Sequence, residues 1–129
     1  MILLDTHALV WAVAETKRLS RAASNAIVKA QNEDGVAIAA ITLWEIAMLI
    51  SRGRIQAYGT VEASIQMLTE GVIIKPLNTA IAALAVQLPE DFPYDPADRL
   101  ISATAMVEGL PLVTRDQKLR ASPRLKTIW

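Results

Sequence analysis

Four acids stand where the sequence could do chemistry. Asp5 follows the apolar run Ile2-Leu3-Leu4, and Glu45 falls in the first turn of a helix expected after Val36-Ala37-Ile38-Ala39. Asp98 sits in the first turn of a helix expected after a proline-rich loop, and Asp116 follows Leu112-Val113-Thr114-Arg115. In open α/β sheets, ligands bind beyond the carboxyl ends of the strands, where helices begin. Acids delivered there from adjacent strands would repel one another and raise one another's pKa unless a cation held them together. A hard divalent cation on oxygen ligands resolves that repulsion. The chain has no Cys and a single His, His7. Disulfides, thiolate zinc sites, cysteine nucleophiles and a His-based zinc site within one chain are therefore excluded.

Each acid also has a plain structural reading. Thr42-Leu43-Trp44-Glu45 has the spacing of a capping box, Asp98 is the third residue of a helix opened by Asp95-Pro96, and Asp5 and Asp116 can cap their own helices. Taken singly they need no ligand. Capping alone does not explain why four of thirteen acids fall at the starts of four helices after four different loops. His7 reads as a first-turn packing or hydrogen-bonding residue. Thr6 and Thr114 can support the carboxylates, or simply cap a helix or finish a strand. Arg99, Arg115, Lys118 and Arg120 interleave with the acids, a pattern that suits an approaching polyanion but also a solvated helix face. Trp11, Trp44, Trp129, Met48 and Met106 can form a partner surface, although large apolar residues on helices usually belong to a core.

The elements that would position these residues alternate along the chain. Ile2-Leu3-Leu4 is a short strand leading into an Ala-rich helix; Ser20 can cap a second helix carrying Ala23, Ile27 and Ala30 at helical spacing. Val36 to Ala39 is a buried strand, Thr42 to about Ser51 a helix, Thr60 to Glu70 another, and Val72 to Ile74 a strand. Asn78 can cap a helix through Gln87. Three prolines between Leu88 and Pro96 make a loop, Asp95 caps a helix through Glu108, and Gly109 ends it. Leu110 to Thr114 is a fourth strand, Asp116 to Arg120 a short helix, and Lys126 to Trp129 an edge strand. Short apolar strands without period-two alternation, separated by helices, predict an α/β fold with a mainly parallel sheet of four to five strands covered on both faces.

Composition sets the outer bounds. With 129 residues, 53% hydrophobic and 20% charged, the chain fits one domain over residues 1–129 and is too apolar for disorder. Thirteen Lys and Arg balance thirteen Asp and Glu, so no net field advertises nucleic acid. Setting the four candidate acids aside leaves nine acids against thirteen cations, a segregated charge hidden in the balance. The start MILLD has no basic n-region, which makes a cytoplasmic location the default expectation. The nearly apolar stretch Val36 to Ile50 is interrupted by Thr42 and Glu45 and is shorter than the ~18 residues a membrane span needs.

Four segments carry a resemblance: Ile-Leu-Leu-Asp-Thr-His-Ala-Leu-Val-Trp from Ile2, Leu-Trp-Glu-Ile-Ala from Leu43, Asp-Pro-Ala-Asp-Arg-Leu-Ile from Asp95, and Gly-Leu-Pro-Leu-Val-Thr-Arg-Asp from Gly109. In this order and spacing they resemble PIN-domain proteins, in particular toxins of the VapC type. The resemblance implies a metal-dependent ribonuclease that is the toxic half of a toxin–antitoxin pair, neutralised by a small antitoxin and commonly homodimeric. It matches Asp5, Glu45, Asp98 and Asp116 to the family's acids. Relatives often carry His-Asp-Pro-Phe-Asp-Arg where this chain has Tyr94 to Arg99, so Tyr94 and Ala97 depart from the pattern while the acids and the Arg remain.

The resulting expectation is an Mg²⁺ or Mn²⁺ endoribonuclease. Asp5, Glu45, Asp98 and Asp116 hold one or two ions, with Asp5 and Asp98 foremost; Thr6 and Thr114 support them, and Arg99, Arg115 and Lys118 meet RNA phosphates. Asp95 is read as an N-cap. The rival from another class is a non-catalytic α/β module that binds a protein through its Trp/Met surface. An aspartyl-phosphate enzyme or receiver is weakened by His at position 7 and by Ile74-Lys75-Pro76, which offers no phosphoacceptor.

Overall fold

The computed structural model describes all residues from Met1 to Trp129. Five short strands form one sheet: β1 (Ile2–Leu4), β2 (Val36–Ala39), β3 (Ile73–Lys75), β4 (Leu112–Val113) and β5 (Thr127–Ile128). Their order is β3-β2-β1-β4-β5, and every pairing is parallel. Parallel strands need crossovers, and helices supply them: α1 (Thr6–Ala14), α2 (Arg21–Asn32), α3 (Ala40–Ser51), α4 (Val61–Leu68), α5 (Thr79–Gln87), α6 (Pro96–Glu108) and α7 (Gln117–Ala121). A 3₁₀ turn at Thr16–Arg18, not expected from the sequence, separates α1 from α2.

Alternation along the central strands divides the core between the two faces. Ile2 and Leu4 of β1, with Val36 and Ile38 of β2, pack under Ala8 and Leu9 of α1, Ile27 of α2 and Ile46 of α3. Leu3, Ala37 and Ala39 point the other way, against Ile101 and Ala105 of α6 and Leu119 of α7. A smaller cluster of Ile81, Ala85 and Ala103 joins α5 to α6. Because both faces are covered, the strands are apolar at successive positions rather than alternating in polarity.

Local chemistry sets most helix starts. Asp5, Ser20, Thr60, Asn78, Asp95 and Asp116 each accept a hydrogen bond from a backbone N–H in the first turn that follows. Pro96 occupies the first turn of α6, and Gly109 ends it at φ 66°, a left-handed conformation that glycine adopts without strain.

α3 departs from the expectation. It begins at Ala40, directly after β2, with Ala39 in the N-cap position and no side-chain cap. The Thr42–Glu45 capping box does not form, and Glu45 lies in the second turn rather than the first. Smaller shifts move β3 one residue toward the C-terminus and end α4 at Leu68.

Leu3 is fully buried in the central strand. Leu3→Ala should cost about 2–5 kcal/mol of unfolding free energy, measured by urea denaturation, because little around a packed central strand can collapse into the cavity.

Candidate active site

β1 and β4 are adjacent and parallel, with Leu4 opposite Val113, so the residues after both strands emerge on one edge. Asp5 donates its N–H to the Val113 carbonyl at 3.1 Å, which ties it to that edge. Its Oδ1 accepts from Ala8 N at 2.8 Å, which leaves the other carboxylate oxygen outside the cap. Asp116 caps α7 in the same manner, accepting from Leu119 N at 3.1 Å. Asp98 reaches the edge from the first turn of α6, whose cap is Asp95. Asp5, Asp98 and Asp116 then line one open pocket of about 460 Å³ with His7, Trp11, Arg115 and Gln117.

Glu45 is held behind that pocket. Its Oε1 accepts a 2.5 Å hydrogen bond from the hydroxyl of buried Thr6. Thr6 in turn lies 3.2 Å from the hydroxyl of Thr42, which is wholly buried. Thr114, also buried, accepts from Asp116 N at 3.1 Å, and its hydroxyl favours the ionised form of Asp5. As placed, no three acid or His side chains converge closely enough to make a ligand cage.

The charges nevertheless feel one another. Burial pushes the Asp98 carboxyl up to about 7, and Asp95, Glu45, Asp116 and Asp5 push in the same direction. Burial also raises Glu45 against the hydrogen bond from Thr6, with Asp95 and Asp5 adding to the rise. Asp5 is raised chiefly by burial, which outweighs its bonds from Thr114 and Ala8. Asp95 is thus both the cap of α6 and a source of the field on Asp98 and Glu45. An all-oxygen set of mutually repelling carboxylates fits a hard divalent cation.

The cations divide differently from the sequence expectation. Arg115 lines the pocket and lies 6.0 Å from the Trp11 ring centre. Lys118 is exposed on α7. Arg99 is no phosphate contact: its Nη1 donates to the carbonyls of Ala85 and Leu88 at 3.2 and 2.9 Å, and Nη2 donates to Pro89 at 3.3 Å. Its guanidinium is committed to the end of α5 and the proline loop, which fixes the corner from which α6 presents Asp98.

His7 is exposed and lines the pocket, 5.7 Å from Trp11 between ring centres. The Trp/Met surface does not assemble. Trp11 is buried and packs on Trp129 at 5.8 Å, Met106 packs on the core, and Trp44 lines a separate apolar pocket with Ile41, Leu77 and Leu100. Thr42 and Gln117 escaped the sequence reading. The Thr42–Glu45 spacing reads locally as a cap, and Gln117 carries no sequence signal.

A carboxyl with a raised pKa binds its proton more tightly folded than unfolded. The stability it contributes is full below the unfolded value near 3.8 and is lost as pH rises through about 7. In chelator-treated protein the melting temperature should fall between pH 5.5 and 8, and Asp98→Asn should flatten that slope. Thermal denaturation followed by circular dichroism checks both.

The sequence matches the family model described as "PIN domain" over residues 2–125. It is 46% identical over 130 residues to Ribonuclease VapC22 of Mycobacterium tuberculosis, covering 99% of this chain and 98% of that protein. Among solved structures, the fold is similar to VapBC2 from Rickettsia felis bound to a promoter DNA fragment, with a TM-score of 0.76 at 20% identity over 98% of this chain and 97% of the other. It is also similar to a toxin–antitoxin complex from Klebsiella pneumoniae, with a TM-score of 0.67 at 23% identity over 97% and 95%. With its acids gathered at the carboxyl edge of a β3-β2-β1-β4-β5 parallel sheet, the chain belongs to the PIN-domain family, in its VapC group.

Proposed function

We propose that this protein is a divalent-metal-dependent endoribonuclease and the toxin of a toxin–antitoxin pair. The observation that carries the reading is the sharing of one pocket by Asp5, Asp98 and Asp116 at the junction of β1, β4 and α6, with the Asp98 carboxyl raised to about 7. RNA as substrate rests on the close relative named a ribonuclease. A protein antitoxin as partner rests on that relative's VapC name and on the toxin–antitoxin complexes that share the fold.

Asp5, Asp98 and Asp116 would hold Mg²⁺ or Mn²⁺ together with Glu45, which keeps one oxygen on the Thr6 hydroxyl and would offer the other. Such an ion would supply Lewis acidity at the phosphodiester and make a water more acidic. The chain's own residues do the rest. Hydrogen bonds from Thr6 and Thr114 favour the ionised forms of Glu45 and Asp5, and Asp98 would be held ionised by the cation it binds. Arg115 beside Asp116 gives the polyanion a cation at the pocket mouth, and Lys118 extends that attraction along α7. No side-chain nucleophile is required.

Purified protein should cleave a panel of structured and single-stranded RNAs with Mn²⁺ or Mg²⁺, and chelation should stop it. Asp5→Asn keeps a residue able to cap α1, so the fold should survive while cleavage falls by at least about a hundredfold, since a direct ligand should cost no less than the groups behind it. Calorimetric titration should show Mn²⁺ binding that Asp5→Asn and Asp98→Asn each weaken. A variant that cuts as fast as wild type, or binding indifferent to both acids, removes the assignment.

A further inference from the structure

Thr6 of α1 meets two side chains of α3 that are remote from it in sequence, Thr42 and Glu45. An ionised Glu45 can only accept, so the 2.5 Å bond uses the one hydroxyl proton that Thr6 has. The 3.2 Å contact between Thr6 and Thr42 must then run the other way, with the Thr42 hydroxyl donating to the Thr6 oxygen. The buried hydroxyls thus form a directed chain, Thr42 to Thr6 to Glu45.

The position of Thr42 at the start of its helix sets it apart from threonines farther along a helix. Thr69 and Thr104 spend their hydroxyls on the carbonyl four residues back, Ile65 at 2.8 Å and Leu100 at 2.7 Å. Thr42 lies in the first turn of α3, so the residue four back is Ile38 of β2 and no helical carbonyl is offered to its hydroxyl. It is fully buried, and the Thr6 oxygen is its partner. The missing capping box has the same consequence: because α3 begins at Ala40, the Thr42 hydroxyl is free of the helix end and turns toward α1.

We propose that Thr42 is a positioning residue for the nuclease site: by donating to Thr6 it fixes the proton of Thr6 on Glu45 and so holds that carboxylate in a single acceptor orientation. The role of Glu45 as a working carboxylate rests on the function proposed above. The chain of hydroxyls polarises in one direction, each donation strengthening the next.

Thr42→Val and Thr42→Ser separate this role from packing. Valine keeps the shape and removes the hydroxyl; serine keeps the hydroxyl and removes a methyl. If Thr42 merely fills space, valine should behave as wild type and serine should be the worse variant. The relay predicts the reverse. Mn²⁺ affinity by calorimetry and kcat for RNA cleavage should each drop about tenfold in Thr42→Val, the low end of the range for groups one step behind a ligand, with KM for RNA unchanged. Thr42→Ser should restore both.

A readout independent of activity comes from proton NMR of metal-free protein with labelled threonine. The Thr6 hydroxyl proton should appear at low field, shift or broaden in Thr42→Val, and return in Thr42→Ser. A Thr6 proton that ignores Thr42→Val overturns the relay whether or not the chain cuts RNA. If the proton behaves as expected but wild-type protein neither binds Mn²⁺ nor cleaves RNA, the nuclease reading falls and the positioning role goes with it. If Thr42→Val fails to fold, Thr42→Ala takes its place, with the same loss and the same rescue by serine.

Discussion

The parallel pairing of β1 with β4 is the constraint on which the site depends. These strands are only three and two residues long, yet their register places Asp5 and Thr114 side by side and sets Asp116 two residues beyond. The backbone bond from Asp5 to Val113 extends the ladder one residue past β1, so the first acid is fixed by the sheet itself. β1 is central and buried on both faces, which means the acid edge cannot shift without disturbing both halves of the core. A site carried on flexible loops would lack that rigidity.

Gathering acids at such an edge costs free energy, and the fold offsets it with two devices. Helix N-termini aim backbone N–H groups at Asp5, Asp95 and Asp116, which suits negative charge at the positive end of the helix dipole. Buried threonine hydroxyls serve Asp5 and Glu45. Capping uses one oxygen of Asp5 and Asp116, so the structural and the chemical readings of those residues are not alternatives. One carboxylate holds the helix and still faces the pocket.

That double use explains which parts of the site were legible in the sequence. Asp5, Asp95 and Asp116 have local signatures, an acid just before a helix, and those signatures identify both roles at once. The strand–helix alternation and the apolar strands likewise identified the parallel sheet. The Thr42–Glu45 cap and the phosphate contact of Arg99 differ from expectation for one common reason: the partners of these side chains are remote in sequence. A Thr three residues before a Glu has the spacing of a cap, and only the pairing of α3 with α1 reveals that both side chains turn to Thr6. An Arg next to an acid invites a phosphate, and only the fold brings three carbonyls from residues 85 to 89 onto its guanidinium.

Arg99 and Asp98 together show how neighbouring residues divide a task. Arg99 spends its charge on the carbonyls at the end of α5 and on the proline loop, which satisfies groups that a helix C-terminus leaves unpaired. Having turned away, it does nothing to neutralise Asp98, and no threonine takes its place. Asp98 therefore differs from Asp5 and Glu45: those two have hydrogen bonds that oppose the rise caused by burial, whereas burial and the neighbouring Asp95, Glu45, Asp116 and Asp5 all raise Asp98. Had Arg99 paired with Asp98, the carboxyl would have been pulled down toward the ordinary range and its proton would be gone well below neutrality. The residue that looked like a substrate contact thus shapes the site from outside it, holding the corner from which α6 presents Asp98 and leaving that carboxyl to the field of its acidic neighbours.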